Sequence, residues 1–327
     1  ATRQDFPRMI RLLEEATQLD PDFAEGWATL AQAWALTFYY GVKERQVALR
    51  EAERFARRAI ELDPELSAAH SALGDALRDQ LMWNEALVSY ERALELNPDN
   101  IEAHSQFGQM FMRAGFAKKA FEHSSAAVAL DPLSWVNQAF HGVTNFVLGN
   151  HDEAYRAINK AEVLGDFRRS LVTRYKIRMA LSDGLTEVAQ QSVDAFMENP
   201  GDDERLEDLN FKDLVRMLDD PESAREFLRS IDYRTSANIG ADLFWVAYFE
   251  AFDLADPWMT EILGRHDRYD EVDMVWMQFP VVRTLYSRNE FRLLMKRSRL
   301  NEFWREYGWP DFCRPISESD FECGTPE

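Results

Sequence analysis

The side chains with the widest chemical reach near neutral pH are scarce in this chain: six histidines and two cysteines in 327 residues. A histidine can act as general base or metal ligand, and a pair of thiols as metal ligands or a disulfide. His123, His151 and His266 have no Cys, His or Asp partner at a metal-ligand spacing. His70 and His104 stand 34 residues apart and His141 follows, an interval that belongs to a repeat rather than to a ligand set. No HExxH, GxSxG or Gly-rich phosphate loop occurs. Carboxylates abound, but a charge-rich helical chain brings them together by accident. No catalytic residue, metal site or cofactor is therefore assigned. Cys313 and Cys323 lie ten apart in DFCRPISESDFEC, flanking Pro315 and two serines. Two ligands do not make a structural zinc site. The pair either closes a disulfide loop, which implies an oxidising compartment, or stays reduced, which the scarcity of cysteine favours.

The elements that would position any site follow from a 34-residue echo. Pro64, Pro98 and Pro132 keep that period, as do Gly74, Gly108 and Gly142, and Ala86, Ala120 and Ala154. Let each closing proline be slot 32. Slot 8 then holds Ala31, Gly74, Gly108 and Gly142; slot 20 holds Ala52, Ala86, Ala120 and Ala154; slot 27 holds Ala59, Ala93, Ala127 and Ala161. Small side chains at fixed offsets mark the points where helices approach most closely. Slots 4, 7 and 11 fill the space between them with Trp27, Leu30 and Trp34, then His70, Leu73 and Leu77, then His104, Phe107 and Phe111. His70 and His104 are thus expected as packing residues between helices, and His141, at slot 7, likewise. A Leu-Asp-Pro or Leu-Asn-Pro triplet ends each second helix, because proline disfavours a helical residue before it, and then opens the next helix. A 34-residue period of this kind predicts stacked helical hairpins.

On these residues the chain resembles the tetratricopeptide repeat, whose pattern asks for a large residue, Leu, Gly, Tyr, Ala, Phe, Ala and Pro at the corresponding slots. The units ending at Pro98 and Pro132 match best, and the resemblance covers about residues 1–165. It implies an all-α, right-handed superhelix whose first helices line a concave wall that binds protein or peptide. Carried onto this sequence, the wall comprises Glu25, Thr29 and Gln32; Ser71, Asp75 and Asp79, with Arg78 beside them; and Glu102, Ser105, Gln106, Gln109 and Arg113. The fourth unit adds Val136, Phe140, Val143 and Phe146. The wall is polar and acidic at one end and apolar at the other, and lacks the Lys/Asn clamp of chaperone-binding members. It suits an extended segment anchored near Phe140 and Phe146, unless those rings pack on the next hairpin instead.

Departures from the pattern divide the chain further. The expected array covers residues 1–200: a half repeat at 1–21, an extended repeat at 22–64, repeats at 65–98, 99–132 and 133–165, and a degenerate hairpin at 166–200. Residues 6–19 read as a second helix alone, as if the chain were the carboxyl-terminal part of a longer polypeptide. The extended unit is nine residues too long, about two and a half helical turns, and carries Phe38, Tyr39 and Tyr40 near its tip. That tip is a candidate surface for a homodimer. Residues 201–327 are expected to form a helical cap over the last apolar face. Residues 202–222 hold nine Asp or Glu against three Lys or Arg, and residues 241–255 read as a buried helix. Arg288, Arg292, Lys296 and Arg299 follow helical spacing on one face, with Phe291, Leu294 and Met295 on the other. The basic face either docks an acidic segment or is solvated or paired with the 202–222 stretch.

Charge and composition bound the partners. The net charge is −20, which disfavours nucleic acid and anionic membrane and favours a basic partner. With 46% hydrophobic and 13% aromatic residues a folded core is expected, and no run of about 18 apolar residues would span a membrane. The ending NEFWREYGWPDFCRPISESDFEC is similar to the carboxyl end of large bacterial regulators that join a winged-helix or class III cyclase domain to repeats. That resemblance implies a non-catalytic sensory or partner-binding module. The expected compartment is the cytoplasm, with the periplasmic part of a single-pass regulator as the alternative. The rival functions are an α-α superhelical enzyme with a carboxylate site and a self-association module.

Overall fold

The computed structural model describes residues 6–39, 42–165, 169–198, 210–232, 239–264, 279–318 and 320–324. Helix α1 (Phe6–Leu19) precedes five hairpins. These pair α2 (Ala24–Tyr39) with α3 (Arg45–Leu62), α4 (Ser67–Asp79) with α5 (Trp83–Leu96), α6 (Ile101–Arg113) with α7 (Ala117–Leu130), α8 (Trp135–Val147) with α9 (His151–Leu164), and α10 (Arg169–Ser182) with α11 (Thr186–Glu198). The nine extra residues of the first hairpin lengthen both of its helices and the connection between them. Helices α2 and α3 have 16 and 18 residues against 13 and 14 in the next hairpin. Phe38 turns inward, packed on Ala48 and Leu49 with the Arg45 guanidinium 5.6 Å from its ring. It is therefore no part of an exposed aromatic tip; Tyr40 and the Tyr39 side chain lie outside the described residues.

The junctions between repeats reuse one set of bonds. In each, the residue before proline ends its helix with a bond from its N–H to an alanine carbonyl four residues back, as Asp63 does to Ala59 and Asn97 to Ala93. Its carboxylate or amide oxygen then accepts the N–H two residues on, at 3.2, 2.9, 3.1 and 3.1 Å for Asp20, Asp63, Asn97 and Asp131. This is a side-chain turn that fixes the chain reversal. Slot 4 completes the junction. Trp27, His70, His104 and Gln138 each bring a side-chain nitrogen to the carbonyl of the preceding Pro21, Pro64, Pro98 or Pro132, at 3.0, 3.0, 2.9 and 2.9 Å. A carbonyl only accepts, so Nε2 carries the proton in both histidines. The expected packing role of His70 and His104 is thus joined by a specific hydrogen bond.

By contact, the chain divides into two compact units, residues 1–110 with 298–306, and residues 111–297 with 307–327. In the first, the slot alanines Ala52, Ala59, Ala86 and Ala93 are fully buried. Trp27 stacks on Phe55 at 5.5 Å. A Cβ added to Gly74 would lie 2.8 Å from the Tyr90 ring, so glycine is needed there. Trp83, at the turn of the second hairpin, donates its indole N–H to the Ser298 carbonyl at 2.6 Å and packs against Phe303. Residues near the end of the chain thus complete the core of this unit.

In the second unit α8 packs on α7, α9 and α10. Beyond α11 follow α12 (Asn210–Arg216), α13 (Pro221–Ser230), α14 (Ile239–Tyr248), α15 (Phe252–Gly264), a 3-10 turn (Pro280–Leu285), α16 (Asn289–Arg297) and α17 (Leu300–Tyr307), the last shared between the units. Leu243, Phe244, Trp245 and Val246 of α14 are buried, as their unbroken apolar run requires. After α17 the described residues form a ribbon and not a further helix. Strands β1 (Cys313–Pro315) and β2 (Phe321–Cys323) form an antiparallel pair, and Cys313 is disulfide-bonded to Cys323. Of the two alternatives for the cysteines, the structure has the disulfide: the register sets them opposite each other, with Cα atoms 4.1 Å apart.

Candidate functional site

Helix α4 sets Ser71, Asp75, Arg78 and Asp79 within little more than two turns. The Arg78 guanidinium donates to both Asp79 carboxylate oxygens at 2.9 Å and to the Gln106 side-chain oxygen at 2.7 Å. Asp75 accepts the Tyr90 hydroxyl at 2.6 Å, and Arg78 reaches that hydroxyl at 3.3 Å. Arg45 closes the far side by donating to the Asp79 carbonyl. Gln106 in turn donates to Glu102 at 2.8 Å. Burial pushes the Asp75 carboxyl up to about 7, with Glu102 and Asp79 adding to the rise against the pull of Arg78 and the Tyr90 hydrogen bond. Burial likewise raises the Tyr90 hydroxyl well above its ordinary value.

This geometry corrects the open polar wall. Ser71, Asp75, Asp79 and Ser105 are 0, 6, 3 and 5% exposed, so an incoming chain has almost no access to them. Two carboxylates so near a guanidinium are held by their own neighbours, and they stiffen the junction of α4, α5 and α6. The apolar anchor is closed as well. Phe140 and Phe146 are 6 and 2% exposed, and Phe146 lies under Phe279 at 5.8 Å and His151 at 4.7 Å. Glu25 and Thr29 remain exposed on α2, and Val136 on α8; Gln32, Gln106, Gln109 and Arg113 are half-buried. The Thr29 hydroxyl donates to the Glu25 carbonyl at 2.8 Å.

The basic set separates. Arg288 precedes α16 and pairs with Asp256 at 2.7 Å; Arg292 and Lys296, on α16, both reach Asp320, at 3.2 and 2.8 Å. Arg299 lies beyond the helix with φ of 59° and pairs with Glu302 at 3.0 Å. The four do not form one helical face, because the helix stops at Arg297. Lys296 holds the Asp320 carboxyl below the usual carboxylate range, with a backbone bond from Phe321 and the charge of Arg292 adding to the effect. The acidic partners are Asp256, Asp320 and Glu302, and residues 202–209 of the acidic stretch lie outside the described residues.

Two clusters escaped the sequence. Asp183 accepts from His151 Nδ1 at 2.9 Å and from the Tyr155 hydroxyl at 3.0 Å, tying α9 to the turn after α10. Ser124 lies 3.1 Å from His141 Nδ1 and 2.9 Å from the Thr144 hydroxyl. Their sequence separations, 28 to 32 residues in the first cluster and 17 to 20 in the second, vary within each cluster and give no motif. Among the described residues no three His, Cys, Asp or Glu side chains are gathered as metal ligands, and no helix is long and apolar enough to cross a membrane.

A family model described as TPR repeat matches residues 74–115. No curated protein matches the sequence. Among solved structures, a chain of the APC/C hetero-tetramer Cut9-Hcn1 is 14% identical, with a TM-score of 0.59 over 84% of this chain and 53% of its own. A tetratricopeptide repeat protein from Parabacteroides merdae is 15% identical, with a TM-score of 0.51 over 75% of this chain and 98% of its own. YrrB, a TPR protein with an unusual peptide-binding site, is 19% identical with a TM-score of 0.41, over 57% and 92%. At such identities a likeness concerns the fold and not the function. The chain is an all-α repeat solenoid, and its residues 74–115 match the TPR repeat model.

Proposed function

We propose that this chain is a protein-interaction module that takes an extended, basic segment along the exposed polar row of α2. The observation that carries this reading is the contrast between buried and exposed slots. Asp75, Arg78, Asp79 and Tyr90 are locked into a closed network, while Glu25 and Thr29 stay open beside half-buried Gln32. A stiff wall with the Glu25 carboxylate exposed on it binds without first having to order itself. The net charge of −20 steers a cationic partner toward it. The wider role, as the sensory or partner-binding part of a larger bacterial signalling or transcription-regulating protein, is supported by the likeness of the tail to such regulators.

The test is a titration of the chain with a fluorescent 15-residue Lys-rich peptide. Glu25→Lys is expected to weaken binding by about tenfold, since it turns an attraction into a repulsion. The melting temperature should stay within a few degrees, because the site is exposed. Equal binding by wild type and variant would remove this reading. The proposed compartment is the cytoplasm or the periplasm. A permanent Cys313–Cys323 disulfide favours the periplasm, and a reversible one the cytoplasm, where disulfides are transient or redox-sensing.

A further inference from the structure

Strands β1 and β2 pair over three residues each, with Cys313 opposite Cys323, Arg314 opposite Glu322 and Pro315 opposite Phe321. So short a ribbon does not stand alone in water. Among the features that hold it are the disulfide at its open end, the Arg314–Glu322 ion pair across it at 2.5 Å, and the wholly buried Phe321 near its turn, whose ring lies 5.5 Å from Trp309. Next to Phe321, the Asp320 carboxylate pairs with Lys296 at 2.8 Å and accepts from Arg292 at 3.2 Å, and the Lys296 ammonium lies 5.9 Å from the Phe321 ring. Arg292 and Lys296 are one turn apart on α16, so one carboxylate covers both cations.

We propose that Cys313–Cys323 is a redox clasp: oxidised, it keeps Asp320 seated on Arg292 and Lys296, and reduced, it releases those cations to dock a carboxylate-rich segment. The argument is one of effective concentration. A carboxylate held in place by an ordered ribbon competes with an external one at a large advantage, and that advantage falls when the ribbon loses its cross-link. Charge selects the occupant. The net charge of −20 repels an acidic segment at long range, so the attraction is one of contact, where two unmasked cations sit side by side; Arg288 stays engaged by Asp256. The chemistry balances with a dithiol as reductant. One of its thiolates attacks a cysteine sulfur, the S–S bond breaks and the other cysteine leaves as thiolate. The second thiol of the reductant then attacks the mixed disulfide and releases the first cysteine. The protein gains two electrons and two protons, and the dithiol leaves as its own disulfide.

The experiment measures fluorescence anisotropy of a labelled deca-glutamate peptide with the full chain at low ionic strength, with and without dithiothreitol, alongside a thiol titration. Reduction should expose two thiols and tighten binding by about tenfold or more. Asp320→Asn with the disulfide intact should bind as the reduced wild type does, and Arg292→Ala/Lys296→Ala should not bind in either state. Cys313→Ser/Cys323→Ser should bind without regard to reductant. Should circular dichroism show that variant unfolded, the wild-type and Asp320→Asn comparisons decide. Two thiols in the aerobically purified chain, or equal peptide affinity before and after reduction, would overturn the proposal.

Discussion

At the junctions closed by Pro21, Pro64, Pro98 and Pro132, a proline carbonyl is taken by a side-chain nitrogen six residues on, and the same asparagine or aspartate turn precedes it. The region after α15 is held differently. Arg288 meets Asp256 from 32 residues away, Arg292 meets Asp320 from 28, and Trp83 gives its indole proton to Ser298 from 215. The first kind of bond is local and repeats with the sequence. The second is made once and depends on the chain having already folded. The repeat junctions should therefore tolerate exchange of equivalent groups, and the non-local contacts should not.

The most severe way to break that contrast is Trp83→Ala. It empties a buried site and removes the indole bond to the Ser298 carbonyl, and urea denaturation should show a loss of about 3–5 kcal/mol. A loss below about 1 kcal/mol would mean that residues 298–306 do not complete the first unit.

Asp75→Asn comes next. With its carboxyl raised to about 7 in the fold and an ordinary value near 3.8 when unfolded, the native state holds the extra proton between those values. The stability that Asp75 contributes is thus present in full below the unfolded value and is lost as pH rises through the folded one. Between pH 5 and pH 7 the wild type should lose about 2–3 kcal/mol relative to Asp75→Asn, whose amide oxygen still accepts from Tyr90. A constant difference in melting temperature across that range would place the proton elsewhere in the network of Tyr90, Arg78, Asp79 and Glu102.

The mildest test is exchange at slot 4. His70→Leu should cost about 1 kcal/mol, the worth of one hydrogen bond. His70→Gln should be nearly neutral, because Gln138 makes the same bond in its own repeat. If the two variants melt alike, slot 4 contributes packing alone.

The hairpins were legible because their instructions are local and periodic. Gly74 stands where Tyr90 comes closest, and the alanines of slots 20 and 27 where helices touch; each recurs at 34 residues and survives reading without coordinates. The binding wall was legible only as a set of positions. Asp75 and Asp79 sit at slots that point to a partner in the family pattern, and in this chain Arg78 and Tyr90 occupy them first. The anchor failed for a similar reason, since Phe279, more than 130 residues after Phe146, covers its ring. The carboxyl end showed basic residues at helical spacing, but spacing does not reveal that the helix ends before Arg299.

The sequence by itself determined that this chain is a solenoid of helical hairpins, where they turn, and which small residues let them touch. Those are short-range matters, settled by proline, glycine and alanine within one repeat. Only the tertiary structure decided which polar slots remain open and which cations are covered. It also decided whether Cys313 meets Cys323. Such choices rest on charges and rings from distant segments, and burial sets their energies in a way that no spacing along the chain encodes.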